Sequence, residues 1–320
     1  MISARALGIA GALALFGIPA HAFYPERPVT IVVPFAPGGA NDVVVRIIQQ
    51  PLAAALGQPV IVENRGGAGG NIGFGYVARA RPDGYTLLLA PSSFAVNVSL
   101  YERAPYDPFK DFEPVAEISA FPVMFTVRTD LGVNSLGDLI ALAKEKARRL
   151  NYSTPGPGTS PHLATELLKQ RAGIDMVHIP YPGAAQAAQA LLNGTVDLGT
   201  MSISAALPQI EAGRFKGLAV TGAERWGDLP QVPTVLEAGI PEFVSETWQG
   251  VLVPAGTPKD AIERLAQALI AVVRRPDIRA ALRHAGFAAS GRGPDAFGRR
   301  IAEDVPKWKD VIAKARIGVK

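Results

Sequence analysis

The chain reads as an α/β protein built of two similar units whose loops face each other across a cleft. Short β-branched runs alternate with helical patterns along its whole length, the signature of parallel α/β architecture. Strand after strand ends in a loop of Gly, Pro, Ser or Thr, at the edge where open α/β sheets hold their ligands. This arrangement occurs once in the first third of the chain and again beyond residue 125. No repeat of solenoid period and no low-complexity tract competes with this reading.

The first unit opens with the run Val29–Val33, a buried strand that breaks at Pro34. Pro37-Gly38-Gly39 then leads into the helix signal Asn41-Asp42 and a helical stretch to Leu56. Strand, glycine turn and helix start aim unpaired N–H groups and the positive end of a helix dipole at whatever lies above the strand. A small anion is the natural guest. Val60–Glu63 and Thr86–Leu89 are the next strands, with a short helix near Ile72–Ala80 between them. Gln58-Pro59 and Arg81-Pro82-Asp83-Gly84 punctuate the returns. The strand ends carry Gly66-Gly67-Ala68-Gly69-Gly70 and Pro91-Ser92-Ser93.

The second unit begins near Phe125. Its strand Asn151–Ser153 ends in Thr154-Pro155-Gly156-Pro157-Gly158-Thr159-Ser160, with a helix from about Pro161. Strands Met176–Ile179, Val196–Gly199 and Lys216–Thr221 follow, separated by helices Ala184–Leu192 and Ala205–Ala212. Trp226–Pro241, rich in Pro and Gly, reads as an ordered connection. One further strand, Gly250–Val253, precedes long helical patterns. A chain that crosses over near 125 and returns near 244 makes a two-strand hinge. The expected division is 23–124 with 244–320 as one domain and 125–243 as the other. Ligand sites favour such interfaces, because closure buries the guest.

The N-terminus reads as an export signal. Arg5 supplies the charge, Ala6–Ile18 the apolar stretch, and Ala20-His21-Ala22 a cleavage site after Ala22. The expected product is a soluble periplasmic protein of roughly 300 residues, room for two domains of ~150. The whole chain carries a net charge of +4, and the signs are interspersed. Without a Lys/Arg block this is not a nucleic-acid footprint. Arg148-Arg149, Arg274-Arg275 and Arg299-Arg300 read as solvated helix faces, and Arg46 and Arg65 as structural or surface residues. Cysteine is absent, which removes disulfides, thiolate metal sites and Cys nucleophiles.

Catalytic motifs are missing or weak. No Gly-Lys pair exists for a phosphate-binding P-loop, and neither G-x-S-x-G nor H-E-x-x-H occurs. Gly73–Ala78 matches G-x-G-x-x-A but follows no strand directly and lacks the later acid. His162, His178 and His284 show no metal-ligand spacing, so no metal or cofactor is expected. Ser160-Pro161-His162 invites a serine-hydrolase reading. A helix start explains it better, with Thr159 or Ser160 as N-cap and Pro161 in the first turn. The pairing of Pro37-Gly38-Gly39 with Ser92-Ser93 and Gly158-Thr159-Ser160 favours binding. These loops carry no Lys or Arg, so an anion there is held by N–H groups, hydroxyls and water. Trp248 either stacks on the ligand or packs the hinge.

The blocks YPERPVTIVVPFAPGGAND (24–42), LGQPVIVENRGGAGGNIG (56–73), PDGYTLLLA (82–90) and PYDPFKDFEPV (105–115) together resemble the Bug-type periplasmic solute receptors. These are the binding components of tripartite tricarboxylate transporters. GTSPHLATELL (158–168), VHIPYPGAAQA (177–187), LAVTGAERWGDLPQVPTVLEAG (218–239) and VPAGTP (253–258) extend the resemblance over the rest of the chain. It implies a type II periplasmic-binding-protein fold, a two-domain flytrap. It also implies a small carboxylate ligand, no catalysis, no cofactor, no nucleic acid and delivery by a monomer to inner-membrane permease subunits. A sensory receptor of the same fold is the alternative. The family's carboxylate contacts map onto Phe35, Ala36, Pro37, Gly38 and Gly39, opposed by Ser92, Ser93, Gly158, Thr159 and Ser160, with Ser153 and Trp248 as further candidates. Met201 stands where many relatives carry Asp, and Phe94 where a polar residue is common. Together they imply an apolar cleft that favours aromatic or aliphatic acids over citrate-like ones.

Overall fold

The computed structural model describes residues 24–145 and 149–318. The export signal read in residues 1–22, and Arg148, lie outside them. Strands β1 (Val29–Val33), β2 (Val60–Asn64) and β3 (Thr86–Pro91) form a parallel set in the order β2-β1-β3. Helices α1 (Ala40–Leu56) and α2 (Asn71–Ala78) connect them, and α3 (Ser93–Leu100) follows β3. β1 is apolar and almost wholly buried, as strands covered on both faces are. Val29, Ile31 and Val33 pack with α1, and Val32 faces the opposite core with Phe74 and Leu88.

The expected all-parallel sheet is corrected by β4 (Phe112–Arg128), a strand of 17 residues that runs through both halves of the molecule. Its first part pairs antiparallel with β9 (Glu246–Pro254) and β10 (Ala288–Arg292), up to Pro122 opposite Glu246. From Val123 onward it pairs antiparallel with β7 (Leu198–Ser202) and β8 (Phe215–Val220). Beyond β7 lie the parallel strands β5 (Asn151–Thr154) and β6 (Val177–Pro180). Pro114 and Pro122 hid this strand, since proline interrupts a strand pattern. Register shifts beside Pro114 and Glu117 take up the irregularity.

Helix α4 (Leu136–Lys144) precedes β5, and α5 (Ser160–Ala172), α6 (Ala184–Leu192) and α7 (Ile203–Glu211) cover the second half. Helices α8 (Lys259–Arg274), α9 (Pro276–His284) and α10 (Pro294–Ala315) complete the first. Three chain segments meet where β4 changes partners. The Val123 N–H donates to the Thr221 hydroxyl at 2.9 Å, and that hydroxyl donates to the Ser245 carbonyl at 2.5 Å. The Thr221 and Ser245 N–H groups donate to Val123 and Thr221 carbonyls at 2.9 and 2.8 Å. β4 thus changes partners between Pro122 and Val123, where Thr221 of a third segment bonds both Val123 and Ser245.

Arg300 is no solvated helix residue. It holds the fully buried Glu117 at 3.2 Å and Glu246 at 2.9 Å, while Arg292 reaches Glu117 from the other side at 3.2 Å. Among the described residues no helix is long and apolar enough to cross a membrane.

Candidate ligand-binding site

Phe35–Gly39 leaves β1 at the edge predicted for it and runs into α1 with Ala36 to Gly39 exposed. Gly38 takes a positive φ of 78°, which only glycine adopts without strain. Its N–H donates at 2.9 Å to Oδ2 of Asp42, which is 1 % exposed. Arg46 Nε donates to the same oxygen at 2.7 Å. Asn64, the last residue of β2, donates from Nδ2 to Asp42 Oδ1 at 3.0 Å and to the Phe35 carbonyl at 3.1 Å. Burial alone would raise the Asp42 pKa. The bonds from Arg46, Gly38 and Asn64 outweigh it and hold the carboxyl at about 2. Gln249 of β9, bonded to Ser119 at 2.5 Å, fixes Asn41 at 2.8 Å. No side chain caps α1, so the N–H groups of its first turn stay available to a ligand.

Ser92 and Ser93 stand at the end of β3, which pairs directly with β1, so both loops rise from one sheet edge. The Ser92 N–H donates to the Trp248 carbonyl at 2.9 Å. Ser93 Oγ is buried and has no hydrogen-bond partner in the protein, the kind of group that calls for an explanation.

The second loop, between β5 and α5, repeats the first. Gly158 has φ 73°, and its N–H donates at 3.0 Å to Nδ1 of His162. The Thr159 hydroxyl donates to the Gly156 carbonyl at 2.8 Å and does not cap α5. A Cβ on Gly158 would meet Leu100 at 2.8 Å, so this loop abuts the end of the helix that Ser93 begins. His162, 5 % exposed, stacks on His178 with ring centroids 3.9 Å apart. Burial first, then His178 and Lys169, lower its pKa to about 3, so the imidazole is neutral. A hydrolytic triad is not assembled here. His162 Nδ1 takes the Gly158 N–H, and Glu166 is bonded to Tyr152 at 2.5 Å and Lys169 at 2.8 Å.

Four sequence candidates lie elsewhere. Phe94 is fully buried, stacked on Tyr106 at 4.9 Å and edge-on to Phe74 and Phe112. Met201 is fully buried with Met124 and Leu191. Its register on β7, opposite Met124, turns it into the core under α6 and α7. Trp248 is fully buried, packs edge-on against Phe297 at 5.1 Å and donates from Nε1 to Asp304 at 2.7 Å, so it braces α10. Ser153 is buried and spends its hydroxyl on the Ala187 carbonyl at 3.0 Å. The apolar-cleft argument from Phe94 and Met201 therefore falls. Asp42 and Asn64 were missed because an acid near a helix start and an Asn before glycines read as ordinary punctuation.

A cavity of about 750 Å³ opens beside the second loop, lined by Pro157, His162, Lys169, His178 and the end of α10. No residue of Phe35–Gly39 lines it. Among the described residues no group of three His, Asp or Glu could hold a metal ion.

Residues 44–317 match the tripartite tricarboxylate transporter family receptor. The chain belongs to that family. Protein BugT of Bordetella pertussis is 36% identical over 291 residues, 90% of this chain and 89% of BugT. A ligand-free TctC solute-binding protein from Polaromonas superposes with a TM-score of 0.84 at 31% identity, covering 91% of this chain and 99% of that one. Rpa4515 of R. palustris with adipate gives 0.73 at 35% identity, with 92% and 99% covered. MatC of Rhodopseudomonas palustris with bound malate gives 0.70 at 33% identity, with 90% and 100% covered. The fold is thus that of the two-domain periplasmic binding proteins, and the chain is a solute-binding receptor of the TctC/Bug type.

Proposed function

We propose that the protein is a periplasmic receptor for a small aliphatic carboxylate, bound between Phe35–Gly39 and Ser92-Ser93 on one domain and Gly158–Ser160 on the other. The observation that carries this is the duplicated loop. In each half a glycine turn at a strand end feeds an uncapped helix whose N-terminal N–H groups are free for an anion. An open helix start is not enough by itself, since α8, α9 and α10 also lack side-chain caps. What sets α1 and α5 apart is the same built turn in both halves, with no Lys or Arg in either loop. Adipate and malate in two relatives support an aliphatic acid over an aromatic one. The domains divide at 122–123 and 245–246, and a permease of the tripartite type takes the ligand from the closed form.

A thermal-shift panel on ligand-stripped protein tests this. A ligand at about 100 times its Kd adds ~2.7 kcal/mol, which raises Tm by several degrees. Adipate or malate should shift Tm, and benzoate should not. A shift with aromatic acids alone would reverse the ligand class, and a flat panel with folding verified would sink the reading.

A further inference from the structure

We propose that Asp42 and His162 are matched positioning residues, each fixing one of the two ligand loops by accepting the N–H of the glycine four residues before it. This rests on the reading of those loops as the ligand's.

The two devices share their donor, their spacing and the place of their acceptor. The donors are Gly38 and Gly158, at φ 78° and 73°. Each acceptor is the third residue of the helix the loop feeds, α1 or α5, and the bonds are 2.9 and 3.0 Å long. Both acceptors are buried. Each is held in turn by a residue of the following strand, Asn64 of β2 or His178 of β6. That residue also ties down the start of its loop. Asn64 donates to the Phe35 carbonyl, and His178 Nε2 lies 2.7 Å from the Thr154 hydroxyl. The Thr154 hydroxyl in turn meets both the N–H and the carbonyl of Gly156 at 3.3 Å. The latch uses an N–H of the loop, as do the Gly39 bond to the Ala36 carbonyl and the Gly156 bond to the Thr154 hydroxyl, and leaves the N–H groups of the helix's first turn for a ligand. It orders the loop before the ligand arrives, which lowers the ordering cost of binding.

The acceptors differ in charge. Asp42 is an anion compensated by Arg46. His162 works only while Nδ1 is unprotonated. It is faced by Glu166 and Lys169 of its own helix, His178 of β6, Tyr152 of β5, and the cavity residues Asp175, Lys314 and Arg316.

Three measurements on the full mature chain test the proposal. In ¹⁵N-labelled protein a through-hydrogen-bond coupling should join Gly158 N to His162 Nδ1, and its absence would overturn the latch. His162→Phe keeps a ring for the stack and removes the acceptor. It should speed hydrogen exchange at Gly158 and weaken binding of adipate or malate, whichever shifts the wild type, about tenfold, the equivalent of one ordinary hydrogen bond. His162→Asn restores an acceptor at the reach Asp42 already uses, and should return both readouts close to wild type. Weak binding in His162→Phe with unchanged Gly158 exchange, or no rescue by Asn, would reduce His162 to packing. If the wild type binds neither acid, the ligand reading fails, while the coupling and exchange still decide the latch.

Discussion

At the scale of single residues, buried charge is where sequence and structure diverge most. Glu117 stands in the sequence without a motif to single it out, yet it is fully buried and held by Arg292, Arg300 and the Ser290 hydroxyl. Removing Glu117 leaves the half-buried Arg300 with Glu246 alone and the Ser290 hydroxyl without its acceptor. Glu117→Ala should therefore cost about 1–3 kcal/mol in urea unfolding, whereas Arg299→Ala, beside Arg300 on α10, should change little. The two loop anchors differ in charge, an Asp42 anion and a neutral His162, but share the same pH sense. The Asp42 pKa is depressed from 3.8 to about 2, so its contribution is present above the unfolded value and lost as pH falls towards 2. That shift corresponds to roughly 2 kcal/mol. His162 falls from 6.5 to about 3, so the unfolded chain binds a proton that the folded chain refuses between those values. Its stabilisation is complete above pH 6.5 and drains away below, at up to ~1.4 kcal/mol per pH unit. Unfolding free energies of wild type and His162→Asn from pH 7.5 to 4 check this. The variant should lose less stability on acidification, and parallel curves would refute a neutral buried His162. The glycines of both loops were legible because a turn at a strand end demands them. Their acceptors were not, because a hydrogen bond from residue i to i+4 leaves no mark in composition.

At the scale of elements, the aromatic cluster under α3 shows how a candidate contact became core. Phe94 is the second residue of a helix that a Ser-Ser pair had disguised as a loop. The helix turns its ring inward among Phe74, Tyr106 and Phe112, and the Tyr106 hydroxyl donates to the Phe94 carbonyl at 2.6 Å. Phe94→Leu should cost about 1–3 kcal/mol of stability through lost packing, with carboxylate affinity unchanged in calorimetry. A selective loss of affinity at full stability would restore Phe94 to the site. Elements with one strong period were readable: β1 and α6 lie where the pattern put them, and β2, β5 and β8 within a residue or two. Those that failed depend on partners far along the chain. β10 carries Ser-Gly-Arg, a poor strand by propensity, and forms because the edge of β4 offers it hydrogen bonds. β4, interrupted by Pro114 and Pro122, has no clear strand pattern of its own and forms where β7, β8, β9 and β10 pair with it.

At the scale of the whole molecule, the question is whether two halves sharing one long strand can move. The shared stretch is narrow: β4 changes partners between Pro122 and Val123, and Thr221 bonds both crossing strands through its backbone and hydroxyl. Proline at 122 donates no ladder bond at that step, so the backbone there is held by fewer hydrogen bonds than the strand on either side. Against motion stands α10, which packs on α3 in one half and reaches α5 in the other, where Gln170 donates to the Val311 carbonyl at 3.2 Å. That bond and the buried apolar cluster that α10 shares with α3 and α5 must rearrange if the halves are to move. A ligand that touches loops of both domains binds the closed arrangement more tightly and shifts the population towards it. Because the chain has no cysteine, two introduced ones can carry a fluorescent pair without interference. Labels at exposed Ile72 on the first domain and exposed Gln186 on the second should approach each other when adipate or malate saturates the wild type. In Thr221→Val, which deletes the hydroxyl that joins the crossing strands, the same change should appear at a different ligand concentration, because the balance of open and closed forms is altered while the loops are intact. A label distance that stays constant at saturating ligand would show that the two halves form a rigid body and that binding is reported by the loops alone.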